Sequence, residues 1–167
     1  DLCYLSSQGR YRGRITAAES KNSLLRVAQY ERYLDDTFQL QISKALVEAK
    51  IKSAKSLIRR YRRNYPELDC SEEVTSLDQA LNNLGLQTKT SSILGIEGSA
   101  TAAYFRAFGR MFRREGMSFT KRTRRPPKDP VNALLSFGYT LVTNEILSFL
   151  FAVGFDPYIG FFHGLDY

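Results

Sequence analysis

The chain is poor in the residues that build several common kinds of site. Its 167 residues include two cysteines, one histidine and no tryptophan. Cys3 and Cys70 stand far apart and outside any metal-ligand spacing, which excludes a disulfide framework and a zinc ribbon and fits a reducing, cytoplasmic location. Internal repeats and low-complexity segments are lacking too. We expect no signal peptide, because Asp1 opens a polar, strand-like segment.

Basic residues are absent from the C-terminal stretch. All 24 Lys and Arg residues precede Asp129, whereas residues 129–167 carry only acidic charges. The formal net charge of the chain is +7. A basic body joined to an apolar, slightly acidic end indicates a polyanion-binding surface built around a buried helix. We expect DNA or RNA as the partner in preference to membrane lipid.

The window from Val131 to Phe155 contains a single charged residue, Glu145, so it has to be compared with a membrane span. Polar residues recur at helical intervals along one stripe of the window: Asn132, Ser136, Thr140, Thr143 and Asn144. This pattern favours a buried helix with one polar face, and we expect no membrane partner.

Hydrophobic periodicity predicts a mainly α protein. The first 15 residues read as a β-hairpin that turns at Gln8-Gly9. Apolar residues then repeat every three or four positions in five stretches. These predict one helix ending near Tyr33 and others over 38–64, 71–85, 91–113 (jointed near Gly95) and 130–153. Because an isolated hairpin is marginally stable and the aromatic tail 155–167 needs a core, we expect a fragment at both ends.

A lone carboxylate suggests the functional site. Glu97 is the only acid between Asp78 and Glu115 and lies in an apolar stretch, where a carboxylate needs a cation or a hydrogen-bond partner. Tyr104, seven residues on, shares its helical face. Alternatively, Glu97 is a capping or solvent-facing residue of a first helical turn.

His163, the only histidine, is the second candidate ligand. A carboxylate with an imidazole is an incomplete set for Mg²⁺, and the imidazole tilts the choice toward Mn²⁺. The competing interpretation is a structural histidine without a ligand.

Three basic runs predict phosphate binding. The first includes Arg59, Arg60, Arg62 and Arg63, and the second runs from Arg106 to Arg114 along the helix that carries Glu97. The third fills a proline-rich loop and contains Arg124 and Arg125. Arginine forks match phosphate geometry, although each run by itself is also compatible with a solvated face.

Three segments resemble a known family: GIEGSATAAYF, RRPPKDPVNALLSFGYTLVTNEI and GFDPYIGFFHG. They are similar to the CRISPR-associated integrase-endonucleases, the "Cas-one" proteins of spacer acquisition. The hairpin LCYLSSQGRYRGRI resembles the end of that family's N-terminal β-domain, and the helical run that follows resembles the start of its α-helical domain. The resemblance covers essentially the whole chain.

The resemblance implies a fold and a domain division. Residues 1–18 would be the remnant of the β-domain, and residues 19–167 an all-helical catalytic domain, truncated at its C-terminal end. It also implies metal-dependent DNA cleavage and integration, a homodimer formed largely through the β-domain, and assembly with the small "Cas-two" protein.

Site residues carry over by motif. Glu97 and His163 match the family's metal-binding glutamate and histidine, with Mg²⁺ or Mn²⁺ as the ion. The family's third ligand is an aspartate beyond that histidine, which this sequence does not contain; Asp166 does not match it. We expect the chain to be impaired for that reason. Tyr104, Arg124, Arg125 and Asn132 are candidates for positioning phosphate.

Two hypotheses therefore compete. The first is an enzyme of CRISPR adaptation that inserts foreign DNA spacers into the repeat array by phosphodiester attack. The second is a non-catalytic DNA-binding or assembly module, which the missing aspartate and the basic surface make credible. A membrane-surface protein is a more remote third.

Overall fold

The computed structural model describes residues 2–8, 10–15 and 21–163. As the sequence predicts, a two-stranded hairpin precedes five helices in this part of the chain. The elements are β1 (Leu2–Leu5), β2 (Tyr11–Ile15), α1 (Ser23–Tyr33), α2 (Asp36–Asn64), α3 (Ser71–Gly85), α4 (Thr90–Gly109) and α5 (Pro130–Val153).

Helices α2, α3 and α4 pack on one another and form the core. Each presents an apolar stripe at helical spacing, which buries aliphatic side chains against the other two. Small residues on α4 allow its backbone to approach its neighbours closely. The buried members are Val47, Ile51, Ile58, Leu77, Ala80, Leu84, Ile93, Ala100, Ala103 and Ala107, with Cys70 at the start of α3.

Local sequence signals set the helix ends. The carboxylate of Asp35 accepts a hydrogen bond of 3.0 Å from the Phe38 amide and caps α2. Asp129 caps α5 in the same way, with Pro130 in the first turn where a missing amide proton costs nothing. α5 ends at Gly154, whose φ of 106° is readily adopted by glycine alone.

Two predicted details of the helices are wrong. α4 runs without a joint through Gly95 and ends at Gly109 instead of Arg113. A Cβ on Gly109 would lie 2.5 Å from the carbonyl oxygen of Phe119, so the returning loop fits there only because the residue is glycine. α3 begins at Ser71, with Cys70 at the cap position and no side-chain cap hydrogen bond.

The hairpin is antiparallel, with Leu2 opposite Ile15 and an irregularity between Tyr4 and Leu5. Its strands pair with each other, and no described helix packs on them. Tyr11 and the other apolar side chains described on the hairpin are more than 40 % exposed. The predicted domain boundary after residue 18 lies outside the described residues and stays a prediction.

The expectation of a buried helix over 130–153 is wrong for this structure. Only Val131 and Asn132 of α5 are buried, and no other described element comes within 8 Å of the helix, Cα to Cα. Most of its large apolar residues beyond Asn132 are exposed or only partly buried, because no other described helix or strand packs along it. By length and hydropathy α5 is the one described helix that could cross a membrane, and none of its apolar window is buried.

Candidate functional site

A cavity of about 430 Å³ lies between α2, α4 and the loop that joins α4 to α5. Apolar side chains form much of its wall, and one carboxylate and several cationic or hydroxyl groups reach into it. Its polar lining residues are Lys50, Ser53, Glu97, Thr101, Tyr104, Arg122, Arg124 and Tyr139. A carboxylate and three basic groups therefore share one concave surface.

Glu97 lies on the α4 side of the cavity with its side chain 21 % exposed. The ammonium of Lys50 on α2 forms an ion pair with Oε1, and Thr101 Oγ1 donates a 3.1 Å hydrogen bond to the same oxygen. The predicted alternative of a capping or solvent-facing glutamate is wrong, because Glu97 lies inside α4 and is partly buried and paired.

The environment keeps Glu97 ionised. Burial alone would favour the protonated acid, but the hydrogen bond and charge of Lys50, the hydrogen bond from Thr101 and the charge of His163 outweigh it. The pKa of Glu97 is therefore lowered. An ionised carboxylate in a partly apolar wall is the form that binds a cation.

His163 lies close enough to Glu97 for its charge to lower the pKa of that carboxyl group, although 66 residues separate the two. Phe162 packs against the core, and the His163 ring contacts it in a tilted arrangement, with centroids 4.7 Å apart and an interplanar angle of 50°. Ser43 on α2 donates a 3.3 Å hydrogen bond to the Phe161 carbonyl and anchors the segment. The two predicted ligands thus come to the same side of the molecule.

The two groups do not complete a metal site by themselves. Within the described ranges, no three His, Cys, Asp or Glu side chains group closely enough to hold an ion. Asp166 lies outside the described residues. A carboxylate and an imidazole are nevertheless donors that Mn²⁺ accepts and that Mg²⁺ accepts in part, so the pair fits one side of a divalent-ion site.

Tyr104 lies on the cavity wall, as its seven-residue spacing from Glu97 predicts. It is half-buried, and burial together with the nearby Tyr139 raises the pKa of its hydroxyl. Tyr104 therefore stays a neutral hydrogen-bond donor, which is the form suited to a phosphate oxygen.

The proline-rich loop is held over the cavity by Asn132. Its amide is fully buried and accepts a 2.9 Å hydrogen bond from the Thr123 amide while donating to the Lys121 carbonyl and to Asp129. All its polar side-chain atoms are engaged within the protein, so Asn132 organises the loop and could position phosphate only through the loop that it holds.

Asn132 also orients Arg122. Nη1 of that guanidinium donates to Asn132 Oδ1 at 3.0 Å, and Nη2 donates to Ser136 Oγ at 3.0 Å. Arg122 and the predicted Arg124 both line the cavity, whereas the predicted Arg125 is exposed and outside its lining. The loop therefore brings two guanidinium groups to the cavity that contains Glu97: that of Arg122, which is held by hydrogen bonds, and that of Arg124, which is exposed.

The four arginines predicted on α2 lie elsewhere. Nine positions separate Lys50 from Arg59, about two and a half helical turns, which brings Arg59 to the opposite side of α2. There an open groove of about 800 Å³ is lined by Arg59, Arg60, Arg62 and Arg63 with Lys52, Lys55, Ser56, Pro66 and Leu81. We call these nine residues the outer groove.

Much of the second basic run serves the fold. Arg106 and Arg110 form ion pairs with the buried carboxylate of Glu73, and Arg113 pairs with Glu67 at 2.6 Å. Arg113 also lies over the Tyr65 ring, 4.5 Å from its centroid. A run of basic residues does not predict these ion pairs, because Glu67 and Glu73 are distant in sequence from the arginines that they contact.

Sequence reasoning missed Lys50, Thr101 and Arg122 as site residues. Thr101 could have been found, because it lies four positions after Glu97 on the same helical face. Lys50 could not, because nothing local indicates how α2 and α4 are aligned. Arg122 directly precedes Thr123 and Arg124 in the third basic run, but whether its guanidinium reaches the cavity depends on the fold of the loop.

Comparison with known proteins identifies the family of this chain. The family model described as "CRISPR associated protein Cas1" matches residues 1–167. A Thermus thermophilus relative, "CRISPR-associated endonuclease Cas1 3", is 37 % identical over 98 % of this chain and 47 % of its own length. The chain spans about half the length of the curated relatives it matches.

Solved structures show the same fold. A chain of a "Cas6-RT-Cas1--Cas2 complex" matches with a TM-score of 0.81 at 32 % identity, over 95 % of this chain and 17 % of that one. A "Casposase bound to integration product" matches with a TM-score of 0.81 at 28 % identity, over 97 % of this chain and 45 % of that one. The class is thus that of helical proteins related to DNA endonucleases and integrases. The chain belongs to the Cas1 family of CRISPR-associated proteins.

Proposed function

We propose that this chain forms part of a metal-dependent DNA endonuclease and integrase of CRISPR adaptation, which inserts foreign DNA spacers into the repeat array. One observation carries the proposal: an ionised carboxylate, Glu97, lies in a cavity rimmed by basic side chains and within electrostatic reach of the lone histidine. The names of its relatives as endonucleases support the reaction class.

Each residue has a chemical task in this proposal. Glu97 and His163 would hold Mg²⁺ or Mn²⁺, and the ion would supply Lewis-acid stabilisation of the charge on the phosphate. Arg122 and Arg124 neutralise the phosphate backbone, and Tyr104 donates a hydrogen bond to it. In integration a 3′-hydroxyl oxygen would attack phosphorus, and the bond from phosphorus to the departing 3′-oxygen would break. In cleavage a water oxygen would attack, and the bond from phosphorus to the departing oxygen would break. In both reactions the attacking group loses a proton and the departing oxygen gains one.

The outer groove binds the phosphate backbone of the DNA away from the cavity. Its four arginines are adjacent and lie on a single helix face, and arginine is suited to phosphate. The expected macromolecular partners are spacer-precursor and repeat DNA, a second copy of the chain and the small Cas2 protein. The similarity to a complex that contains Cas1 and Cas2 and to a casposase bound to integration product supports the Cas2 and DNA partners. We infer a cytoplasmic location.

The decisive experiment measures cleavage and strand transfer with Mn²⁺, using both this chain and the longest reading frame that encodes it. Glu97→Gln and His163→Ala should each lower the rate at least about hundredfold, as expected when charge stabilisation at a transition state is removed. Glu72→Gln is the matched control, since that acid is exposed on α3 outside both basic surfaces. Undiminished cleavage by both variants would exclude the two residues from the mechanism.

The alternative function is a non-catalytic DNA-binding or assembly module. It is favoured by the lack of a third ligand among the described residues, together with the outer groove. In that case the chain would bind DNA with steep salt dependence, the logarithm of the affinity falling by about 0.9 per phosphate contact for each tenfold rise in salt. Neither the chain nor its longest reading frame would then cleave DNA with any divalent ion.

A further inference from the structure

Lys50 occupies the charge-neutralising position beside Glu97. Its ammonium reaches across from α2 and forms the ion pair with Oε1, where Thr101 also donates. No hydrogen bond to Oε2 is present among the described residues. The carboxylate therefore has one oxygen, Oε1, engaged by protein donors and a second oxygen, Oε2, that no described donor engages.

A divalent cation and an ammonium do not share one carboxylate without strong repulsion. In a partly buried wall that repulsion is screened less than between exposed charges. The Lys50 side chain is 53 % exposed and consists of a flexible four-carbon stem, so it can swing from Glu97 into solvent without disturbing the core. Lys50 is thus a cation that can leave when another arrives.

We infer that Lys50 is an internal competitor for the divalent-cation site at Glu97. Its ammonium keeps the carboxylate neutralised in the metal-free protein, and the incoming ion displaces it. The inference rests on the proposed function, because it requires Glu97 to be a metal ligand. It adds to the proposed function a residue, Lys50, that lowers the affinity of the site for the divalent ion.

Thr101 makes the competition possible because it fixes the carboxylate independently of Lys50. Its hydroxyl lies on the same helix as Glu97, and the 3.1 Å hydrogen bond does not depend on α2. When the ammonium leaves, Glu97 therefore keeps its orientation toward the cavity. The site is preorganised even though its resident charge is exchangeable.

The chain supplies a matched control lysine. Lys52 is two residues away, is similarly exposed at 64 %, and also pairs with a glutamate, Glu48, at 2.5 Å. It belongs to the outer groove on a different face of α2. Replacing either lysine by methionine removes the same formal charge. A difference in Mn²⁺ affinity between the two variants therefore depends on where the lysine lies and not on the net charge of the protein.

The test is the affinity for Mn²⁺ alone, without DNA, measured by electron paramagnetic resonance of the free ion. Lys50→Met should bind Mn²⁺ about fivefold more tightly or better, the size of a typical coupling between two binding events. Lys50→Arg should stay near the wild-type affinity, and Lys52→Met should change it less than about twofold, since exposed charges are screened.

The outcomes separate the two ideas. If Glu97→Gln binds Mn²⁺ as well as the wild type does, the proposed metal site fails and the competition fails with it. If Glu97→Gln abolishes binding but Lys50→Met leaves the affinity unchanged or weakens it, the competition alone is overturned. Tighter binding by Lys52→Met to the same extent would also overturn it.

Discussion

The two sides of α2 differ in what their charges face. On one side Lys50 meets a carboxylate inside a walled cavity; on the other, four arginines line an open groove. Both sides are basic, and both attract phosphate. Only the cavity has a carboxylate, Glu97, in its lining, whereas Lys52 and Lys55 of the outer groove pair with acids that lie outside the lining of that groove. We therefore propose that the groove binds DNA and that the cavity acts on it.

Burial accounts for the difference. Glu97 is mostly shielded and paired, whereas Arg59, Arg60 and Arg63 lie in solvent. Charges in a shielded wall interact strongly and have fixed positions, while exposed charges are screened by salt. We therefore expect the outer groove to control affinity and the cavity to control chemistry.

The strongest way to break this comparison is to reverse the charge of the outer groove. Changing Arg59, Arg60, Arg62 and Arg63 to Glu should weaken DNA binding about hundredfold at low salt and reduce the salt slope, because several phosphate contacts are lost. Fluorescence anisotropy across a salt series measures both quantities. Mn²⁺ affinity at Glu97 should change little.

A charge-matched control reverses four exposed cations outside both surfaces: Arg10, Arg12, Lys21 and Lys89. The loss of DNA affinity should then be less than about fivefold, since only long-range attraction is weakened. Equal losses in both sets would show that net charge, and not the outer groove, holds the DNA.

Loosening the loop affects the cavity side alone. Asn132→Ala should lower the free energy of unfolding by about 2 kcal/mol, because the buried partners of its amide lose their hydrogen bonds. Urea unfolding followed by circular dichroism measures the change. The exposed Asn82→Ala on α3 should stay within about 0.5 kcal/mol of the wild type.

A smaller effect comes from the contact between α4 and the returning loop. Gly109→Ala should cost about 1.5 kcal/mol, since its Cβ would collide with the Phe119 carbonyl. Gly95→Ala, in the open interior of the same helix, should instead stabilise by about 0.5 kcal/mol. Thermal melts of the two variants should therefore shift in opposite directions.

The smallest expected effect is the pH dependence of the contribution of Glu97 to the free energy of unfolding. Its pKa is lower in the folded protein, so its contribution to stability is present above the ordinary glutamate pKa, about 4.3, and is lost as pH falls through the lowered value. The pair with Lys50 is partly exposed, so we expect about 0.5 kcal/mol. Glu97→Gln should remove this part of the unfolding free energy at pH 7 and leave it unchanged near pH 2.

The sequence predicts the helices and strands better than it predicts how the helices pack on one another. Repeating apolar residues and the signals at Asp35, Pro130 and Gly154 indicate where helices begin and end, because these effects are local. The pairing of Lys50 with Glu97, and of Arg110 with Glu73, depends on how distant helices pack. No local pattern contains that information.

Asn132 and α5 teach the same physical lesson. Asn132 was a candidate for positioning phosphate, but its amide is already engaged by the loop, and α5 was expected to be a buried helix with one polar face, but most of it is exposed. Composition describes what a residue can do, but its surroundings decide whether an amide is already satisfied or a leucine is covered. Glu97 and Tyr104 were predicted correctly to share a face because helix geometry alone determines it.

The exposed face of α5 also has a practical consequence. Leu134, Phe137, Leu141, Ile146 and Phe149 are each more than half accessible to water and follow one another along a single rod. Exposed apolar surface of this kind promotes association, so molecules of this chain should self-associate as their concentration rises. The same surface should increase the fluorescence of a dye that binds apolar patches. Dilute samples and a mild detergent will be needed before any stoichiometry is assigned.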